Sequence, residues 1–244
     1  MTALLETERL SKRFGGVTAA DGVDLAIEVG EVRGLIGPNG AGKTTLVNLI
    51  AGLYPPDSGD IRLDGRSLLG QKPNQIARRG LVRSFQVARM FGNMSVRENL
   101  LLPYLAQRRV GGAVAAQEQA SRLLTMARLT RLADAPAKTL SGGQRVLLQI
   151  AAGFMIPGLR CYVLDEPFAG INPIIKESII ELIDQENKSQ RTTFIIVSHE
   201  MAVVRRLCRR VTVMVAGHIA AEGTLDEVAA RSDVVAAYLG KGWT

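Results

Sequence analysis

The chain predicts an α/β fold in which a parallel sheet with crossover helices is interrupted by a helical insertion. Three observations carry this expectation. A glycine-rich loop, Gly37-Pro-Asn-Gly-Ala-Gly-Lys43-Thr44, stands between a predicted strand and a stretch of helical apolar spacing. Short apolar runs at residues 162–164 and 193–197 flank the helix-spaced residues 174–187, which is the rhythm of strand, crossover helix and strand. Between these two regions, from about residue 88 to residue 153, the texture becomes helical and alanine-rich.

Taken in order, Val23-Asp-Leu-Ala-Ile27 alternates apolar and polar side chains, and a Val-Gly-Glu turn leads to a second strand at residues 32–36. Residues 44–53 have helical spacing, which Tyr54-Pro-Pro-Asp-Ser-Gly59 ends. Residues 81–85 read as a further strand. Ser95-Val-Arg-Glu98 is a capping box ahead of Asn99-Leu-Leu-Leu102, and residues 115–133 read as one alanine-rich helix. A hairpin at Ala216-Gly217 joins residues 211–215 to 218–221, and a second capping box, Thr224-Leu-Asp-Glu227, opens a short terminal helix.

At 244 residues the chain has room for one large or two small domains. Hydrophobic residues form 47% and charged residues 22%, the composition of a folded protein and not of a disordered one. The formal charge of +7 points to an acidic partner. The arginines at 78, 79, 83, 89, 205, 206, 209 and 210 are expected on solvated helix faces near a phosphate or lipid surface; without an aromatic stacking platform, specific nucleic-acid binding is not expected. Cys161 and Cys208 sit in apolar stretches without metal-ligand spacing and are expected as buried, reduced thiols. There is no signal-peptide pattern and no apolar run near the ~18 residues of a membrane span, so the expectation is a cytoplasmic chain unless another subunit carries it to a membrane.

The chemistry begins at the glycine loop, which fills every fixed position of GxxxxGK[ST] in the required strand-to-helix context. Its glycines allow backbone N–H groups to wrap phosphates at a helix N-terminus, Lys43 reaches the terminal phosphates, and the Thr44 hydroxyl ligates Mg²⁺. Gly37, Pro38, Asn39, Gly40, Ala41, Gly42, Lys43, Thr44 and Thr45 are the candidate nucleotide-binding residues. Tyr162-Val-Leu-Asp165-Glu166 ends a buried strand in two acids, a costly place for charge unless a cation and a water are held there. Asp165 is the candidate support for Mg²⁺, and Glu166 the candidate for polarising the attacking water.

Leu140-Ser-Gly-Gly-Gln144, together with these two motifs in this order, makes the chain resemble the ATP-binding cassette family over residues 4–223. The resemblance implies an α/β P-loop NTPase core with an antiparallel β subdomain and an inserted helical subdomain. Residues 1–87 and 154–225 would form the nucleotide-binding core with the β subdomain, 88–153 the helical signature subdomain, and 226–244 a short helical tail. It further implies that Ser141 and Gly143, with Gly142 and Gln144 of the same motif, bind the γ-phosphate of ATP held by the opposing subunit. Gln86 matches the glutamine that contacts Mg²⁺ and the attacking water; on its own it reads equally as an exposed loop amide. His199 matches the switch histidine that contacts the γ-phosphate, and Phe14 the aromatic that stacks on adenine, although a core role for Phe14 stays open.

One departure is Asn172, which stands in Ala169-Gly-Ile-Asn172 where the family usually has aspartate. The stretch Gly80-Leu-Val-Arg-Ser-Phe-Gln86, then Glu166-Pro-Phe-Ala-Gly-Ile-Asn-Pro173 and the ending Ala236-Ala-Tyr-Leu-Gly240, are similar to the ATPases of branched-chain amino-acid importers, where Asn172 is at home. That similarity implies ATP and Mg²⁺ as cofactors, a second cassette subunit, identical or homologous, separate membrane permeases contacted near Phe85 and Phe91, and a solute-binding protein. It places the chain peripherally on the cytoplasmic face of the membrane. A core role for the two phenylalanines is the alternative. The rival readings of the whole chain are a lipopolysaccharide-export-type ATPase of the same family and a soluble cassette ATPase without a transport role.

Overall fold

The computed structural model describes residues 3–84, 90–107 and 112–239, with side chains to residue 236. The chain opens with two long strands, β1 (Ala3–Phe14) and β2 (Val17–Glu28), then β3 (Val32–Ile36) and helix α1 (Lys43–Ile50). Next come β4 (Ser58–Leu63), β5 (Arg66–Ser67), α2 (Pro73–Arg78) and β6 (Leu81–Arg83). Helices α3 (Val96–Leu105), α4 (Ala113–Met126) and α5 (Gly142–Gly153) follow. The alternation then resumes with β7 (Cys161–Asp165), α6 (Pro173–Gln190), β8 (Thr193–Val197) and α7 (Met201–Leu207). The hairpin β9 (Arg210–Val215) and β10 (His218–Gly223) precedes the short helices α8 (Leu225–Ala229) and α9 (Ser232–Leu239).

Two sheets form. An antiparallel sheet has the order β2-β1-β4-β5, and a six-stranded sheet has the order β10-β9-β3-β8-β7-β6, in which only β10 runs antiparallel to its neighbour. β7 and β8 are buried along their whole length, and their period of two splits them between two cores. Tyr162, Leu164, Phe194 and Ile196 join the core beneath the helical insertion, while Cys161, Val163, Ile195 and Val197 join the core shared with α1 and the antiparallel sheet. Continuous apolar runs are what a sheet covered on both faces demands.

The antiparallel sheet is tied directly to the glycine loop. The Gly217 N–H donates to the Ala41 carbonyl and the Asp21 N–H donates to the Gly217 carbonyl, each at 3.0 Å. The turn of the β9–β10 hairpin therefore clamps the loop against β2.

Several expectations need correction. The helix after the glycine loop ends at Ile50, short of residue 53, because Gly52 enters the left-handed region at φ 70° and Leu53 N–H donates back to Asn48 O at 2.8 Å. The alanine-rich helix stops at Met126 and does not reach residue 133. Arg128 takes φ 55° and Leu129 N–H donates to Leu124 O at 2.8 Å, a helix stop made by an arginine where glycine is usual. The strand β1 and the first half of β2 were not expected; register shifts and Arg9 at φ 44° break the alternation that would announce them.

Of the arginines expected on solvated helix faces, Arg78, Arg205 and Arg206 are exposed on helices and Arg209 and Arg210 are exposed just beyond α7, while Arg79 and Arg83 are partly buried. Arg79 donates to the carbonyls of Leu63, Arg66 and Ser67, Arg206 makes a bidentate pair with Glu177, Arg205 pairs with Asp226, and Arg83 is buried against Asp165. Arg89 lies outside the described residues. Both cysteines are buried and unbridged, and burial pushes each thiol up to about 12.

Candidate active site

Parallel strands release their loops at the same edge, and here β3, β8 and β7 are adjacent in the sheet. The glycine loop follows β3, His199 follows β8, and Asp165 and Glu166 end β7, so three motifs far apart in sequence share one edge. β6 is next in the sheet, and the strand leading to Gln86 therefore enters at the same edge; Gln86 and Phe85 themselves lie outside the described residues.

The glycine loop has room for backbone only. At Gly37, φ is 148° and a Cβ would lie 2.2 Å from the Met214 carbonyl oxygen; at Gly42, φ is 101° and a Cβ would lie 2.1 Å from the Ala19 carbonyl oxygen. Gly42 caps α1 without a side chain, so the first N–H groups of the helix keep no side-chain partner. Lys43 Nζ donates to the Gly37 carbonyl at 2.7 Å and to the Pro38 carbonyl at 2.9 Å. Partial burial lowers its pKa, and the nearby carboxylates of Glu166 and Asp165 act the other way. A half-buried cation beside free helical N–H groups is chemically suited to an anion.

Asp165 is 5% exposed. Its carboxylate accepts a hydrogen bond from Arg83 Nη2 at 2.7 Å, its own N–H donates to Ser84 Oγ at 3.3 Å, and Arg83 also bonds the Asn48 amide oxygen of α1. Glu166 sits at φ 49°, a strained backbone for a side chain of its kind, held by its N–H donating to the Val197 carbonyl at 2.9 Å. The Glu166 Oε2 lies 3.0 Å from His199 Nδ1. Glu200, next in the chain, caps α7 and pairs with Lys176 of α6, which fixes the segment carrying His199. Asp165, Glu166, Lys43 and His199 are thus gathered as the sequence suggested.

Among the described residues, no cluster of three or more His, Cys, Asp or Glu side chains is arranged to hold a metal. The Thr44 hydroxyl and the Asp165 oxygen not engaged by Arg83 are two oxygen donors, a set that fits Mg²⁺ completed by phosphate oxygens and water. Phe14 is half-exposed at the end of β1, with Tyr54 edge-on at 5.3 Å between ring centroids and Lys12 Nζ 5.6 Å from its own. Lys12 and the Arg13 N–H both donate to Asp57 at 2.7 Å, bonds that hold the Asp57 carboxyl below the usual range and fix the strand end bearing Phe14. The ring is a platform open to solvent and not a core plug.

Ser141 to Gln144 form the start of α5. Ser141 Oγ accepts from the Gln144 N–H at 3.3 Å while Gln144 Oε1 accepts from the Ser141 N–H at 2.9 Å, a reciprocal cap that leaves Gly142 exposed. Asn172 Oδ1 accepts from the Ile175 N–H at 3.0 Å and caps α6, with Pro173 at its first position. Sequence reasoning missed the Arg83–Asn48 bridge to Asp165.

Fold and site together define a P-loop ATPase. The chain matches the ABC transporter family model over residues 20–169, and it belongs to that family. It is 37% identical to the high-affinity branched-chain amino acid transport ATP-binding protein BraF of Pseudomonas aeruginosa, covering 98% of each. Among solved structures it is similar to MJ1267, an ATP-binding cassette of an ABC transporter in its ADP conformation, at TM-score 0.86 and 31% identity over 99% of this chain and all of the other. It is also similar to the dimeric, post-hydrolysis cassette MJ0796 bound to ADP and Pi, at TM-score 0.80 and 25% identity over 91% of this chain and 98% of that one.

Proposed function

We propose that this chain is the ATP-hydrolysing subunit of an importer for branched-chain or other hydrophobic amino acids, driving separate membrane permeases. The observation that carries this reading is the meeting of the glycine loop, Asp165, Glu166 and His199 at one sheet edge, in a chain that matches an amino acid transport cassette from end to end. Residues 37–45 hold the phosphates, and Phe14 lies against the adenine. Thr44, Asp165 and Gln86 hold Mg²⁺. When bound, Mg²⁺ neutralises phosphate charge and fixes the phosphate oxygens for in-line attack. Glu166 orients the attacking water and takes its proton, and His199, placed by Glu166, contacts the γ-phosphate.

Ser141, Gly142, Gly143 and Gln144 form a second anion cradle at the N-terminus of a twelve-residue helix, directed to the nucleotide of another cassette. The dimeric form of a similar cassette supports a working unit of two such chains. Residues 1–87 and 154–225 act as the nucleotide-binding core and 88–153 as the lever, with residues 226–244 as the tail. A groove of about 290 Å³ lined by Val82, Met90, Phe91, Leu102, Pro103 and Ala152 receives a permease segment at the junction of core and lever. Among the described residues no helix is long and apolar enough to cross a membrane, which accords with a peripheral place on the cytoplasmic face, beneath permeases that a solute-binding protein supplies.

Ser141→Arg tests the shared site. ATP binding by the isolated chain is expected to stay near normal while hydrolysis falls to background; surviving hydrolysis would overturn the two-chain arrangement. In proteoliposomes holding the permeases, hydrolysis is expected to rise when the binding protein carries a hydrophobic amino acid.

A further inference from the structure

Arg83 has no part in the roles assigned above, yet its guanidinium joins the two elements that carry Thr44 and Asp165, two of the candidate Mg²⁺ ligands. Nη2 donates to Asp165 Oδ2 at 2.7 Å, and Nη1 donates to the Asn48 amide oxygen. Asn48 lies four residues beyond Thr44 on α1, one turn along the same face. The Arg83 side chain is 10% exposed and that of Asp165 is 5% exposed, so the pair is largely out of water. Arg83 Nε has no hydrogen-bond partner among the described residues, which leaves Asp165 and Asn48 as the partners that hold this buried cation.

The charges around the site balance without a metal. Two adjacent carboxylates, Asp165 and Glu166, face two cations, Lys43 and Arg83. A divalent cation arriving alone meets one carboxylate oxygen already engaged and two positive charges close by, whereas one arriving with a polyphosphate brings its own counter-charge. We propose that Arg83 is a positioning residue that makes Mg²⁺ binding conditional on nucleotide, by engaging Asp165 Oδ2 and keeping Oδ1 aligned with the Thr44 face of α1. The proposal rests on the reading of Asp165 as a metal ligand, and its test separates the two.

Mn²⁺ is the probe, followed by its paramagnetic resonance signal without nucleotide. Arg83→Gln is expected to bind free Mn²⁺ roughly tenfold or more tightly than wild type, since a nearby like charge is removed. Arg83→Lys, which keeps the charge, is expected to stay near the wild-type value. Equal Mn²⁺ affinity in wild type and Arg83→Gln, or a gain in Arg83→Lys as large as in Arg83→Gln, would overturn the proposal. Adding Asp165→Asn to Arg83→Gln is expected to remove the gained binding; a gain that persists would refute the reading of Asp165 and not the effect of Arg83. Wild type gives an independent check that needs no variant. Its melting temperature is expected to rise with Mn²⁺ plus a non-hydrolysable ATP analogue and not with Mn²⁺ alone, and a comparable rise with Mn²⁺ alone would also overturn the proposal.

Discussion

Gly42 and Glu166 show how backbone conformation carries the chemistry. At φ 101°, with the Ala19 carbonyl where a Cβ would stand, Gly42→Ala has to move β2 or the loop. The expected result is lost ATP binding and destabilisation of about 1–3 kcal/mol, read from nucleotide titration and denaturant melts. Glu166→Gln keeps the shape of the side chain and removes the carboxylate proposed as the base. Turnover is expected to fall ~10²- to 10⁴-fold with ATP binding retained, and near-normal turnover would remove Glu166 from that role. The glycines, Lys43 and the acidic pair were legible because their chemistry admits few residue types at fixed spacing. Arg83 was not, because a buried ion pair leaves no local signature on either partner's segment. The cysteines give a pH test: with each folded thiol near 12, above its usual 9.0, stability is full below pH 9 and declines as pH rises past it, where only the unfolded chain loses those protons. Alkylation at pH 8 is accordingly expected to label neither cysteine in the native protein and both in denaturant.

At the scale of elements, the helix starts carry the most information. Ser95 and Thr224 each accept a hydrogen bond from the backbone N–H three residues on, as their capping boxes announced, and Ser141 does the same without having been read as one. The stops were harder to read, since Arg128 performs with an unfavoured backbone what glycine does elsewhere. Asn172 is the cap of α6, a task aspartate performs as well. Asn172→Ala is expected to destabilise the fold by about 1 kcal/mol in equilibrium melts, and Asn172→Asp by far less. A full loss with aspartate would show that the position needs neutrality and not only a cap. β1 and the first half of β2 escaped sequence reading because their irregular register obscures the period of two.

At the scale of the molecule, the parallel sheet collects four chain segments at one edge, while the insertion carries the Ser141 cradle on a helix of its own. The order of strands could not be read from local pattern, since it is set by which crossovers pack on which face. In the proposed arrangement the nucleotide is the joint between two chains, and hydrolysis the event that loosens it. Sedimentation of the Glu166→Gln chain with saturating ATP, and then with ADP, tests this most directly. The account predicts a dimer in ATP and a monomer in ADP; a chain that binds ATP stoichiometrically and remains monomeric would contradict it.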